Sequence, residues 1–347
     1  HNLHNILTLR GALVRDPRVW AHYLDETIQL FGDQVDVLFA QHHWPRWGRE
    51  RALGFLAKQR DVYAYLHDQT LRLLNKGYTG KEIAEQIALP PSLEQEWHCR
   101  GYYGSVSHNV KAIYQRYMGW FDGNPAHLWE HPPEEAAKRY VEYMGGSEAV
   151  LEKARAAFEA GDLRWVVEVV NHVVFAEPDN AAARELQAQA LEQLGFGAEN
   201  GPWRNFFLTG AKELREGVGG TATTVAPADM IASLTCEQLF DSMAIRVDGP
   251  RAFDVRMVLD WVFPDLGATY ELSLENAVLT HRVGGSGSPD ATITLERTLL
   301  DRILTGGADL QAELASGGVR VEGDAAKLGE LLSLFDAPDP SFAIVTP

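Results

Sequence analysis

The chain has 347 residues, 46% of them hydrophobic and 23% charged, which is ordinary globular composition and enough for two or three domains with cores of their own. Its formal charge of −17 excludes nucleic acid or an anionic membrane face as the main partner, although local cations can still hold an anionic substrate. Two cysteines, Cys99 and Cys236, form no CxxC or Cys/His zinc pattern, and no apolar run of about 18 residues predicts a transmembrane helix.

The first residues, His1-Asn2-Leu3-His4-Asn5, have neither the basic nor the apolar region of a signal peptide, and the chain reads as though it begins within a domain. The compartment is left open. Residues 1–48 read as mixed α/β. Val19, Trp20, Tyr23, Leu24, Ile28 and Phe31 recur at helical spacing until Gly32-Asp33. Val35 to Ala40 then suits a buried strand, with His42-His43-Trp44-Pro45 at its C-terminal end. One helix and one strand cannot cover both faces of a sheet, so further strands from elsewhere are expected.

Residues 49–215 read as helical. A long amphipathic helix is predicted over Gln59–Asn75, with Val62, Tyr63, Leu66, Thr70, Leu73 and Leu74 on its apolar side. Thr79 is placed to cap the next helix, and Ser105 or Ser107 one that carries Val110, Ile113 and Tyr114. From Pro133 onward, shorter helices have the look of tandem hairpins, similar to one or two tetratricopeptide-type units and suited to packing or dimerisation.

Gly217 to Thr224 reads as a linker. Beyond it the composition predicts a small α+β domain over 226–347. It begins with one helix from Met230 to Met243 and continues with alternation from Arg246 to Val262. A hairpin is expected to turn at Asn276, and three short helices to frame a strand near Val319–Glu322. Met257, Leu259, Trp261 and Phe263 share one strand face. That face either packs on the domain's own helices or collects alkyl chains.

Three features carry chemistry. His42, with His43 beside it, stands where a strand end can offer an imidazole to a metal, although two ordinary loop histidines have the same pattern. Arg10 offers a planar fork of donors for sulfate or phosphate oxygens, and Asn5 a neutral donor. His108 sits in a Gly- and Tyr-rich loop entering a helix. There the N-terminal partial charge favours a neutral ring that can donate a hydrogen bond or exchange a proton, as well as simply cap or pack.

The strings around these residues go further. His4-Asn5-Ile6-Leu7-Thr8-Leu9-Arg10-Gly11, Gln41-His42-His43-Trp44-Pro45, Arg100-Gly101-Tyr102-Tyr103-Gly104 with Ser107-His108-Asn109, and Gly119-Trp120-Phe121-Asp122-Gly123-Asn124-Pro125 resemble the bacterial alkyl sulfatases of the metallo-β-lactamase superfamily in sequence and order. The resemblance covers essentially the whole chain. It implies three parts. Residues 1–58 would be an α/β remnant of a metallo-β-lactamase αββα fold, 59–216 an all-α dimerisation domain, and 226–347 an α+β domain similar to sterol carrier protein 2.

The same resemblance implies hydrolysis of linear alkyl sulfate esters by a dinuclear zinc site in a homodimer. His42 would be a zinc ligand, with His43 the second choice. Asn5 and Arg10 would hold the sulfate, His108 would assist the leaving group, and Trp120 would fall beside the substrate cleft. The family's His-x-His-x-Asp-His motif occurs nowhere in the 347 residues. The chain alone is therefore expected to be incomplete and inactive. Two rival readings remain: a non-catalytic dimer that binds lipids or alkyl chains, and a related hydrolase acting on another ester.

Overall fold

The 26-residue helix at the centre of the first half begins earlier than its apolar pattern predicts. In the computed structural model, which describes residues 2–220 and 228–347, the chain runs through α1 (Pro17–Phe31), a hairpin of β1 (Val37–Leu38) and β2 (Arg46–Trp47), and α2 (Arg49–Leu74). Gly48 at φ 91° turns the chain into α2. The boundary expected between residues 58 and 59 therefore falls inside a helix. Val62, Tyr63, Leu66 and Leu73 are buried in a core shared with Leu3, Ile6, Ala21, Val110 and Ile113.

The expected strand over 35–40 is corrected to two residues. They pair only with β2, Val37↔Trp47 and Leu38↔Arg46, and Phe39 is 75% exposed. The apolar run is real, but no other strand among the described residues lies beside it. One face of α1 is similarly bare: Tyr23, Leu30 and Phe31 are exposed, while Trp20 and Leu24 pack on the α2 core.

Three helices follow, α3 (Gly80–Gln86), α4 (Pro91–Glu94) and α5 (Val106–Met118). Thr79 caps α3 with a complete capping box to Glu82, as its spacing predicts, and Ser105 rather than Ser107 caps α5. Then come α6 (Pro133–Tyr143), α7 (Ser147–Glu159), α8 (Leu163–Ala176), α9 (Ala181–Gly197) and α10 (Gly201–Glu216), packed as successive hairpins. Their core is small and β-branched, with Val166, Val169, Val170, Val173 and Val174 of α8 against Ala183, Ala190 and Leu191 of α9. Buried Glu213 of α10 accepts the amide hydrogens of Ile344 and Val345, which ties the last residues of the chain to this first unit.

The second compact unit is Gly220–Phe342. The predicted linker lies partly outside the described residues. The single helix expected from Met230 to Met243 is two, α11 (Ala228–Ser233) and α12 (Cys236–Ala244), because Thr235 opens a new capping box with Gln238. The alternation expected from Arg246 is interrupted by α13 (Gly249–Ala252), and Phe253 is exposed.

The sheet consists of β3 (Met257–Phe263), β4 (Ala268–Glu275), β5 (Val278–Val283), β6 (Ala291–Thr294) and, after α14 (Arg297–Leu304) and α15 (Leu310–Ser316), β7 (Arg320–Gly323); α16 (Ala326–Ser333) follows. Its strand order is β5-β4-β3-β6-β7, with β3 and β6 parallel and the other pairs antiparallel. The β4–β5 turn carries positive φ at both Asn276 (54°) and Ala277 (61°), as a two-residue hairpin of matching twist requires. Met257, Leu259, Trp261 and Phe263 are all buried, packed with Phe240 and Met243 of α12, Leu300 of α14 and Leu328 of α16.

Candidate functional site

Residues 2–8 form neither helix nor strand and are buried or half-buried although most of them carry polar groups, so their hydrogen bonds decide the local structure. Leu3 donates its amide hydrogen to the His98 carbonyl at 2.7 Å and accepts from Gly104 at 2.9 Å. The Asn109 side chain clamps the strip from both sides: its Oδ1 accepts from the Ile6 amide at 2.9 Å, and its Nδ2 donates to the His4 carbonyl at 3.0 Å. The His4 amide donates to the hydroxyl oxygen of buried Tyr63 at 2.9 Å. Gly104 has to be glycine here, because a Cβ would lie 2.5 Å from the His4 carbonyl carbon and oxygen.

These bonds bring three of the four sequence strings together. The His4 ring lies 4.6 Å from the Tyr103 ring and 6.0 Å from the His42 ring, and His42 stacks on Tyr103 at 5.5 Å. His43, at φ 79°, turns the other way, with its ring 4.8 Å from Trp97. Burial lowers the affinity of both His4 and His43 for a proton, which favours neutral imidazole. Trp97 also stacks under the Arg46 guanidinium at 4.5 Å. There it borders a cavity of about 260 Å³ whose lining includes Arg51 and Lys58, a locally cationic spot on an acidic chain.

Asn5 is buried, and its carbonyl and Oδ1 both accept from Nη1 of Arg15, at 3.1 and 3.4 Å. Arg15 also donates to Thr8 Oγ1 at 2.9 Å. The arginine that holds Asn5 is thus Arg15, which the sequence strings did not single out. Arg10 stands exposed in a turn, and among the described residues no hydrogen bond or ion pair engages its guanidinium.

His108 occupies the third helical position of α5 and is 6% exposed. Its Nε2 lies 2.7 Å from the Leu7 carbonyl and its Nδ1 3.1 Å from the indole nitrogen of Trp203. A carbonyl only accepts and an indole N–H only donates, so the partners assign the neutral Nε2–H tautomer. Burial, the largest influence, holds this ring below the ordinary imidazole range against the opposing Leu7 carbonyl. The Lys111 ammonium lies over the Trp203 ring, 5.1 Å from its centre, and Lys111 lines a cleft of about 840 Å³ that also contains Trp120. Trp120 is therefore outside the His4–His42–Tyr103 cluster.

The sequence strings contain Asn5, Arg10, His42 and His108 together with His4 and Tyr103, but not Arg15, Tyr63 and Trp203, which bond to residues of those strings. Those contacts cross up to about a hundred positions of chain, and no local pattern signals them. Among the described residues no group of three or more His, Cys, Asp or Glu side chains is placed to share a metal ion. A catalytic zinc takes three protein ligands. These side chains alone therefore do not fit a complete centre.

The alkyl sulfatase dimerisation family matches residues 79–217, and the alkyl sulfatase C-terminal family residues 224–347. Along its whole length the chain is 51% identical to a linear primary-alkylsulfatase of Pseudomonas sp, covering 52% of that protein. It is 49% identical to the alkyl/aryl-sulfatase BDS1 of Saccharomyces cerevisiae, covering 54% of it. The solved structure of the stereoselective inverting sec-alkylsulfatase Pisa1 from Pseudomonas sp. superposes with a TM-score of 0.94 at 47% identity, covering 99% of this chain and 55% of that one. The chain spans about half the length of the curated relatives it matches. With two alkyl sulfatase family domains matched and near-half identity along the entire chain, it belongs to the alkyl sulfatase family.

Proposed function

We propose that this chain is part of an enzyme that hydrolyses linear alkyl sulfate esters to alcohol and sulfate, with zinc as its cofactor. The observation that carries the reading is the convergence of separated strings: His4, His42 and Tyr103 stack together, while Asn109 and His108 bind the backbone of residues 4–7. The names of the relatives supply the substrate class, and all of them are alkyl or alkyl/aryl sulfatases.

In this reading residues 1–58 complete a metallo-β-lactamase-like domain. The bare apolar side chains of Tyr23, Phe31, Phe39, Trp44 and Trp47 support it, because a sheet continuing beside β1 would cover such surface. His42 would be one zinc ligand of a two-zinc site. The relatives' additional length leaves room for the other ligands. Zinc, when bound, would supply an activated water. The Arg10 fork is free to take sulfate oxygens. Asn5, set by Arg15, and neutral His108 would offset charge as the ester bond breaks. For His108 to reach the sulfate, its Nε2–H has to exchange the Leu7 carbonyl for a sulfate oxygen. Residues 79–217 would make the protein a homodimer, supported by the name of that family.

The test is Arg10→Ala and His108→Ala in a version extended upstream to the relatives' length. Each should lower dodecyl sulfate turnover about a hundredfold with zinc content unchanged. Unchanged turnover for either variant would remove that residue from the site.

A further inference from the structure

His108 and Trp203 stand 95 positions apart in the chain, yet each is the third residue of its helix, α5 and α10. Both first turns are capped: Ser105 Oγ accepts from the His108 amide at 3.3 Å, and Asn200 Oδ1 from the Trp203 amide at 3.0 Å. The start of α10 is also fastened to the loop that enters α5. The Gly201 amide donates to the Tyr102 carbonyl at 2.8 Å, and Arg100 pairs with Glu199 at 2.9 Å. These bonds hold the Trp203 indole N–H against His108 Nδ1 at 3.1 Å, while the Leu7 carbonyl faces Nε2 at 2.7 Å.

Imidazolium carries a hydrogen on both ring nitrogens, and an indole nitrogen only donates. A proton arriving on Nδ1 would meet the Trp203 N–H head on, with no acceptor between them. The nitrogen through which a neutral His108 could gain a proton is therefore the one that Trp203 closes. The surroundings act in the same direction. Burial is the largest influence against a charged ring, and Lys111, one turn further along α5, adds the repulsion of its ammonium. The 2–8 strip and α10 meet the ring with the Leu7 carbonyl and the indole, and the neighbouring Arg204 is turned to the Ala198 carbonyl. Lys111 also sits over the Trp203 ring, where a cation draws electron density from the indole and makes its N–H a stronger donor.

We propose that Trp203 is a positioning residue that locks His108 as a neutral ring, so that Nε2–H serves the site as a hydrogen-bond donor and no imidazolium forms. A neutral ring that released this hydrogen would be left as an imidazolate, so the hydrogen bond is given and the proton is kept. The use of that donor rests on the hydrolytic reading; the lock itself is measured without turnover. The 347-residue chain, labelled with ¹⁵N in its histidine and tryptophan rings, is followed by nuclear magnetic resonance as the pH is lowered, with the His108 signals identified by their loss in His108→Gln. A coupling across the hydrogen bond should link Trp203 Nε1 to His108 Nδ1. The ring should keep its Nε2–H pattern below about pH 6.5, where an exposed imidazole is half protonated, and in Trp203→Phe its midpoint should rise towards that value. In the version extended upstream to the relatives' length, Trp203→Phe should add to kcat for dodecyl sulfate an inflection at the raised midpoint that the parent lacks. Absence of the coupling, ordinary titration of His108 in the parent, or a midpoint unmoved by Trp203→Phe would each overturn the proposal, and the first two are read on the parent even if the variant does not fold. Loss of turnover in the variant with the midpoint unmoved would show a merely structural role. Should neither extended form hydrolyse dodecyl sulfate, the hydrolytic reading fails, while the resonances still decide the lock.

Discussion

Gly104 shows how one missing atom assembles the site. Its α-carbon lies against the backbone of His4 and Asn5, where a Cβ would come within 2.8 Å of the Asn5 nitrogen and 2.5 Å of the His4 carbonyl. Gly104→Ala should therefore destabilise the first unit by about 1–3 kcal/mol, read as a lower urea midpoint at unchanged slope. A midpoint equal to that of the parent would mean that the 100–104 loop does not press on the strip. His98 makes a second prediction. Burial pushes its imidazole down to about 4, and Gln59 donates to its Nδ1 and to its carbonyl. The folded ring resists protonation while the unfolded one titrates near 6.5. Stability should thus be full above about pH 6.5 and fall as the pH drops towards 4, by up to about 3 kcal/mol from this group. Thermal melts of the parent and His98→Gln across that range check it: the variant should show the shallower acid slope, and parallel slopes would contradict the assignment.

At the scale of elements, the helices were legible because caps and apolar spacing are local. Thr79 and Glu82 form the capping box that their spacing requires, and Thr79→Ala should cost about 1 kcal/mol, measurable by chemical denaturation. No loss would mean that α3 is held by packing alone. What local pattern could not show was context. The run Val35–Ala40 has strand composition, yet only Val37 and Leu38 pair, because strand formation depends on neighbours. Four-residue β6 was missed since it lies inside the sheet between β3 and β7 and is too short for a period to register. The break at Thr235 was read through because apolar residues continue on both sides of it. The site divides in the same way. His42, Asn5 and His108 stood out in recognisable strings. Arg15 and Trp203 did not, since their importance lies in bonds to Asn5 and His108 that only the fold creates.

Across the whole molecule, a helical unit and an α+β unit each have a core of their own, and large apolar side chains stand bare in both, those of residues 13–47 among them. The proposed zinc chemistry would join His42 to ligands in the half of the relatives' length that this chain does not span. The most direct test is zinc content measured together with dodecyl sulfate hydrolysis, on the 347-residue chain and on a version extended upstream to the relatives' length. The account predicts two zinc ions per protomer and sulfate release in the extended form only. Absence of zinc and of hydrolysis in both would contradict it, and so would full activity in the 347-residue chain.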